Sequence, residues 1–276
     1  MPENFKTGFL KILCSIKDYL PEIVIGGGWV PLIYYHYLLG DKSKDSIRTL
    51  DIDLMVKDKL PVIGSKTLDQ LLVDAGLKSV FKTLYTPPII HYEGAIDGWE
   101  VEIEFLTDKK GSKKDVVIEV QKGLHAEALQ YISIALENVI EVDIDDFPVE
   151  GNTQHLRVKV PSPEAYILHK GLVFTRGKEK GKVAKDLFYI FDVLVNSSEI
   201  EGQIIKGFKS LKATYPKWFK NFVKNLEAYF SDLMSEGVFL VSSQRPVYSL
   251  PALNDDQFKQ YVYGTFRDLI EKIKNF

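Results

Sequence analysis

At 276 residues, 45% hydrophobic and 26% charged, the chain has the make-up of a globular protein with room for two ordinary domains, and this composition excludes a disordered or fibrous one. A formal net charge of −3 excludes a global pull toward nucleic acid or anionic lipid, so any polyanion must be held locally. Cys14 stands alone, which excludes internal disulfides and thiolate zinc motifs and fits a reducing cytoplasm, the expected location.

Phe5, Phe9, Ile12, Leu13, Ile16 and Leu20 recur at helical spacing near the start of the chain. Glu3 and the interspersed Lys6, Lys11 and Lys17 are unlike a secretory signal. EIVIGGGW then reads as a short strand running into three glycines. The apolar stretch Trp29 to Leu39 that follows contains Pro31 and His36 and is too short to span a bilayer, so no membrane anchor is expected. DKSKDS is a polar loop delivering the chain to IRTLDIDLMV, a strand opened by acids. TLDQLLVDAGL reads as an amphipathic helix with Gly76 near its end.

From Ile89 to Leu106 the pattern turns to strands, with Asp97-Gly98 suited to a hairpin turn. VVIEVQ and HLRVKV are further strand candidates, separated by the amphipathic stretch HAEALQYISIAL. Ser162 and Pro163 suit a helix start. Helical patterns then follow at 163–175, 183–195, 201–213, 216–236 and 255–274. The expected fold is α+β: a mixed α/β domain at 1–160 with a small mixed or antiparallel sheet, and a helical domain at 161–276.

Alternate residues of an extended chain face the same way, so Asp51 and Asp53 project together while Ile52 and Leu54 turn to the other face. Buried or crowded carboxylates need a positive partner, and two such oxygen ligands suit Mg²⁺ or Mn²⁺ with phosphate oxygens and water. In GWEVEIEFL, Glu100, Glu102 and Glu104 share one face, and Glu102 or Glu104 would complete a three-carboxylate cluster if that strand neighbours the first. A solvated sheet face is the plain alternative for this row. The glycines upstream free backbone N–H groups for phosphate, or simply make a tight turn.

This ordered set, GGGW, then RTLDIDLMV, then VEIEFL, resembles the DNA polymerase β-like nucleotidyltransferase superfamily, with most likeness to the branch that includes nucleotidyltransferase toxins of abortive-infection and type IV toxin-antitoxin systems. The resemblance implies that Gly27 and Gly28 cradle a triphosphate and that Asp51 and Asp53 bind metal with Glu102 or Glu104. Arg48 and Thr49 would sit where relatives place a basic or hydroxyl residue. It departs in having Gly28 where many members have Ser, and in the 22 residues between Gly28 and Asp51. In YILHKGLVFTRGKEKGKVAKDLFYIFDVL it implies that Lys170 contacts nucleotide phosphates and Asp186 orients it. Arg176, Lys178, Lys180, Lys182 and Lys185 supply a basic rim suited to triphosphate or RNA, or simply a solvated basic loop with Asp186 as a helix-start residue.

The implied activity is transfer of a nucleoside monophosphate from a nucleoside triphosphate such as ATP to an unidentified acceptor: RNA, including a tRNA end, a protein hydroxyl or a small molecule. A toxin-like role would add an antitoxin-like protein partner. Two other readings compete: a non-catalytic nucleotide-binding protein on the same fold, and a dinucleotide-binding oxidoreductase. The latter fits poorly, because Pro31 occupies the last glycine position and the acids open their strand rather than close it. The five histidines lack metal-ligand spacing and read as structural or surface residues. Tyr215, Trp218, Phe219, Phe222 and Phe230 read as helix-packing core.

Overall fold

The computed structural model describes residues 3–46, 49, 51–81, 90–96, 98–111, 116–149, 152–176, 179–245 and 253–276. Arg48, Asp97 and Lys178 lie outside the described residues. Two compact units emerge: Met1–Ile33 with Arg48–Pro161, and Tyr34–Ile47 with Ser162–Phe276.

The first unit runs α1 (Glu3–Ser15), β1 (Ile23–Ile25), α2 (Trp29–Ile33), β2 (Asp51–Val56), α3 (Leu68–Asp74), β3 (Lys78–Phe81), β4 (Ile90–Ile96) and β5 (Trp99–Asp108). It continues through β6 (Val116–Gln121), β7 (Leu124–Leu129), α4 (Ile132–Glu137), β8 (Val139–Val149) and β9 (Asn152–Pro161). Among the described residues the strands form one nine-stranded sheet in the order β3-β4-β5-β2-β1-β9-β8, with the β6–β7 hairpin joined to β5 through β7. The sheet is mixed: β2 runs parallel to β5 and β1 parallel to β9, while β1 and β2 are antiparallel.

Side-chain alternation explains how this sheet is covered. Ile52, Leu54, Ile103 and Phe105 are buried on one face. On that side Trp29 stacks on Phe9 of α1 at 3.9 Å and meets Trp99 edge-on at 5.9 Å. On the other face Met55 and Val24 pack against Ile132 and Ala135 of α4, with Leu106 beside them. That face changes from apolar to acidic along β2 and β5, since Asp51 and Asp53 precede Met55 and Glu102 and Glu104 precede Leu106 at the same period.

Residues 125–136, read as one amphipathic stretch, divide into β7 and the short α4. Leu124, Ala126 and Ala128 are buried with period two, and Tyr131 turns the chain at φ 73°, so strand pairing overrides the helical propensity of Ala, Leu and Glu. β8, also not anticipated, carries a second Asp-Ile-Asp, where Asp143 is bound by the Arg157 guanidinium of β9 at 2.7 Å.

The second unit comprises α5 (Pro163–Val173), α6 (Lys180–Asn196), α7 (Glu201–Thr214), α8 (Pro216–Tyr229), α9 (Glu236–Ser243) and α10 (Asp255–Lys274), together with the segment 34–47. The helix expected over 216–236 ends at Tyr229, and α9 begins afresh under Ser235. Aromatic packing fixes the bundle: Phe230 stacks on Phe266 at 3.6 Å, and Phe208 on Phe222 at 5.8 Å. Phe219, Phe222 and Phe230 are core as expected. Tyr215 and Trp218 instead stack on each other, half-buried, at 5.1 Å.

Candidate active site

The β2–β5 register sets Asp51 opposite Glu102 and Asp53 opposite Glu104. Paired residues of neighbouring strands project to the same side, so four carboxylates occupy adjacent positions on one sheet face, beyond the end that α4 covers. Asp51 is exposed; Asp53, Glu102 and Glu104 are half-buried.

The glycine turn meets this face at Asp53. The Gly26 N–H donates to the Asp53 carbonyl at 2.8 Å, which ties the turn to β2. Gly27 has φ +63°, and a β-carbon there would collide with the Asp53 carboxylate. Only glycine combines that backbone conformation with that approach. Gly28 is buried in the same turn, immediately before α2, and Thr49 is buried two residues ahead of Asp51.

The donor set is all hard oxygen. Two carboxylates at alternate positions of a strand suit Mg²⁺ or Mn²⁺ arriving with a nucleoside triphosphate, because Mg²⁺ takes one or two carboxylates and completes its shell with phosphate oxygens and water. Among the described residues, no three His, Cys, Asp or Glu side chains close around a point as a metal cage.

His91 joins this face from β4, a placement hidden from sequence reasoning because a lone histidine has no spacing signal. It lies opposite Glu104 in the β4–β5 register. Its Nε2 is 3.5 Å from Glu93 and 3.8 Å from Glu102, its side chain is 8% exposed, and its Nδ1 is buried with no hydrogen-bond partner.

In the second unit, Lys170 Nζ donates to Asp186 Oδ1 at 2.6 Å, with the two side chains 14% and 9% exposed. The ammonium also lies 5.4 Å from the Tyr189 ring centroid and 5.9 Å from that of Tyr166. The structure thus brings together the lysine and aspartate of the downstream motif. Asp186 lies well inside α6, which opens at Lys180. Of the rim, Arg176, Lys180 and Lys182 are exposed, whereas Lys185 is half-buried near the Tyr189 ring. Beside Lys170, the His169 Nε2 is sealed from water without a partner, and desolvation pushes the imidazole down to about 3.

One buried acid escaped the sequence reading. Asp192 accepts hydrogen bonds from Tyr35 at 2.9 Å, Ser46 at 3.2 Å and Asn196 at 2.9 Å. Tyr35 and Ser46 bracket the segment that follows the glycine turn and α2 and leads to β2, so Asp192 pins that segment to α6. Burial pushes its carboxyl up to about 6 despite the three donors.

A mixed sheet that presents paired carboxylates beside a glycine bend, with a lysine–aspartate pair in the following helices, has the make-up of an enzyme that transfers phosphorus-containing groups. Residues 21–199, well over half of the chain, match the family described as Nucleotidyltransferase, and the chain belongs to that family. It is similar to the crystal structure of an antigenic nucleotidyltransferase-like protein from Paracoccidioides brasiliensis, at 17% identity and TM-score 0.38, over 80% of this chain and 93% of that one. No curated protein matches the sequence. No helix among the described residues is long and apolar enough to cross a membrane.

Proposed function

We propose that the chain transfers a nucleoside monophosphate from a nucleoside triphosphate to an acceptor oxygen, with Asp51 and Asp53 as the metal-binding pair and Glu102 or Glu104 as the third acid. The reading rests above all on the juxtaposition of the Asp53 carboxylate with the Gly27 bend on a face where Asp51 and Glu102 are also paired. The turn supplies backbone next to the acids, which is where a triphosphate must lie if both are to act on it. Mg²⁺ or Mn²⁺, when bound, would neutralise phosphate charge and lower the pKa of a coordinated hydroxyl.

In the proposed step, the acceptor oxygen forms a bond to the α-phosphorus while the bond to the bridging oxygen of pyrophosphate breaks. The acceptor proton passes to a carboxylate of the face, Glu102 or Glu104. Asp51 and Asp53 would hold the divalent ion that compensates the triphosphate charge, and positioning with charge compensation would supply most of the acceleration. Lys170, as a point charge, is the proposed phosphate contact of the second unit. The motif resemblance also supports a toxin-like role, which growth arrest on expression in a bacterial host, relieved by acid-to-amide substitution at Asp51 and Asp53, would test.

The deciding experiment incubates the protein with each labelled nucleoside triphosphate, Mg²⁺ or Mn²⁺, and total RNA. Label should move to an acceptor and the move should cease in Asp51→Asn with Asp53→Asn. Transfer that survives the double substitution refutes the assignment.

A further inference from the structure

From Gly202 to Leu226 the chain carries six lysines, Lys206, Lys209, Lys212, Lys217, Lys220 and Lys224, and no acidic residue, within a protein of net charge −3. This stretch builds α7 and α8, outside the 21–199 segment that carries the family match. Helical geometry sorts its side chains. Phe219, Phe222 and Leu226 of α8 are buried, and Lys217, Lys220 and Lys224, at the i, i+3, i+7 positions of the opposite face, are exposed. They make a strip about 10 Å long, roughly three nucleotide steps of a stacked strand. Lys206 and Lys209 are exposed on α7.

The strip is held rigidly. Asn225 Nδ2 donates to the Gly171 carbonyl at 3.0 Å. Phe222 fills the space over Gly171 so closely that a β-carbon there would collide with its ring. α8 is thereby docked on α5 next to Lys170. At the head of the strip, Tyr215 and Trp218 stack at an interplanar angle of 12° and remain half-exposed.

We propose that this face of α8 binds the backbone of a single-stranded polynucleotide, which would make the acceptor of the transfer reaction a nucleic-acid strand; that last clause rests on the function proposed above, the binding itself does not. Charge complementarity selects the partner. The α8 row of Lys217, Lys220 and Lys224, with no acidic residue between its members, neutralises consecutive phosphates and gains from counterion release. The aromatic pair favours unpaired bases over a duplex, because stacking needs an open base face. An anionic membrane fits less well. Interfacial helices insert an apolar face beside their basic one, whereas the large apolar side chains of α8 are buried and none of the exposed large hydrophobics lies between 201 and 229.

The test is fluorescence anisotropy with labelled single-stranded 20-mers, ribo and deoxyribo, in EDTA without nucleoside triphosphate, so that binding is read apart from catalysis. Replacing Lys217, Lys220 and Lys224 together by Gln should lower affinity about a hundredfold at 0.1 M salt and reduce the slope of log K against log salt by about 2. Replacement by Arg should retain both, and an unchanged Tm shows that the Gln variant is folded. Wild-type affinity in the Gln variant, no binding by the parent chain, or binding to phosphatidylserine vesicles in place of oligonucleotide would each overturn the proposal. Loss of transfer in the Asp51 and Asp53 variants with intact oligonucleotide binding bears only on the catalytic reading.

Discussion

The carboxylate of Asp53 lies against the α-carbon of Gly27, in the space a β-carbon would fill. Replacing Gly27 by Ala therefore has two effects. It places an L-residue at φ +63°, which costs about 1–2 kcal/mol, and it drives the Asp53 carboxylate out of the turn. Gly64 separates them, since it has φ +69° with open space around it. Gly64→Ala should lose thermal stability from backbone strain alone and Gly27→Ala should lose more, and only Gly27→Ala should abolish Mg²⁺-dependent stabilisation by nucleoside triphosphate in a thermal-shift assay. Equal nucleotide responses would detach the glycine turn from the site.

The Lys170–Asp186 pair is mostly withdrawn from water, so removing one partner leaves a charge without compensation. Asp186→Asn should destabilise the fold by about 2–4 kcal/mol in urea denaturation. Lys170→Met with Asp186→Leu replaces both charges by apolar groups of similar size and should recover most of that loss. If Lys170 also contacts phosphate, the double variant will be stable yet bind nucleoside triphosphate at least tenfold more weakly. Full nucleotide affinity in a stable double variant would make the pair purely structural.

Much of this architecture was readable because the periodicities are local. The alternation in WEVEIEFL and DIDLMV marks β5 and β2, and the 3.6-residue pattern marks α10. What was not readable is set by non-local pairing. β7 is only part of an amphipathic stretch until Leu124, Ala126 and Ala128 find a sheet to bury against, and the second Asp-Ile-Asp in β8 is indistinguishable by type from the first until Arg157 is seen across from Asp143. The same holds at the candidate site. That Glu102 faces Asp51 is a fact of strand register, and register between strands some fifty residues apart leaves no mark on either strand alone. The apolar stretch that ends at Leu39 and the polar loop DKSKDS read as part of the first domain, yet 34–47 belongs to the helical unit, where Asp192 gathers Tyr35 and Ser46.

His91 bears on the acids without standing among them in sequence. Its Nε2, within 4 Å of Glu93 and Glu102, sets a polar group beside the Glu102 carboxylate from the strand on the far side of β5. Groups that orient ligating or reacting carboxylates affect metal affinity or rate by about 10- to 100-fold. His91→Ala should weaken Mn²⁺ binding in a metal titration by about tenfold, while His91→Gln, which keeps a polar group beside Glu102, should lose less. Unchanged Mn²⁺ affinity in both variants would leave His91 a packing residue.

Asp192 and His169 impose opposite pH dependences on the stability of the second unit. The native carboxyl of Asp192, pushed up to about 6, holds a proton that the unfolded chain releases near pH 4. Its ionisation therefore costs stability above pH 6, and that cost fades as pH falls toward 4. His169, pushed down to about 3 in the native state, leaves the unfolded chain alone to take up a proton below about pH 6.5. Its contribution is complete above pH 6.5 and is lost as pH falls toward 3. Between pH 6 and 4 each group changes the proton balance by one in opposite directions, so the two offset each other. Asp192→Asn removes one side of that balance while retaining an oxygen acceptor for Tyr35 and Ser46. The variant should exceed the parent by up to about 3 kcal/mol at pH 8, with the advantage vanishing near pH 4. Below pH 6.5 it should show the loss of about 1.4 kcal/mol per pH unit that His169 imposes and Asp192 masks in the parent. Urea denaturation at pH 8, 6 and 4 measures both, and a stability difference that does not vary with pH would place the effect of the substitution in packing rather than in ionisation.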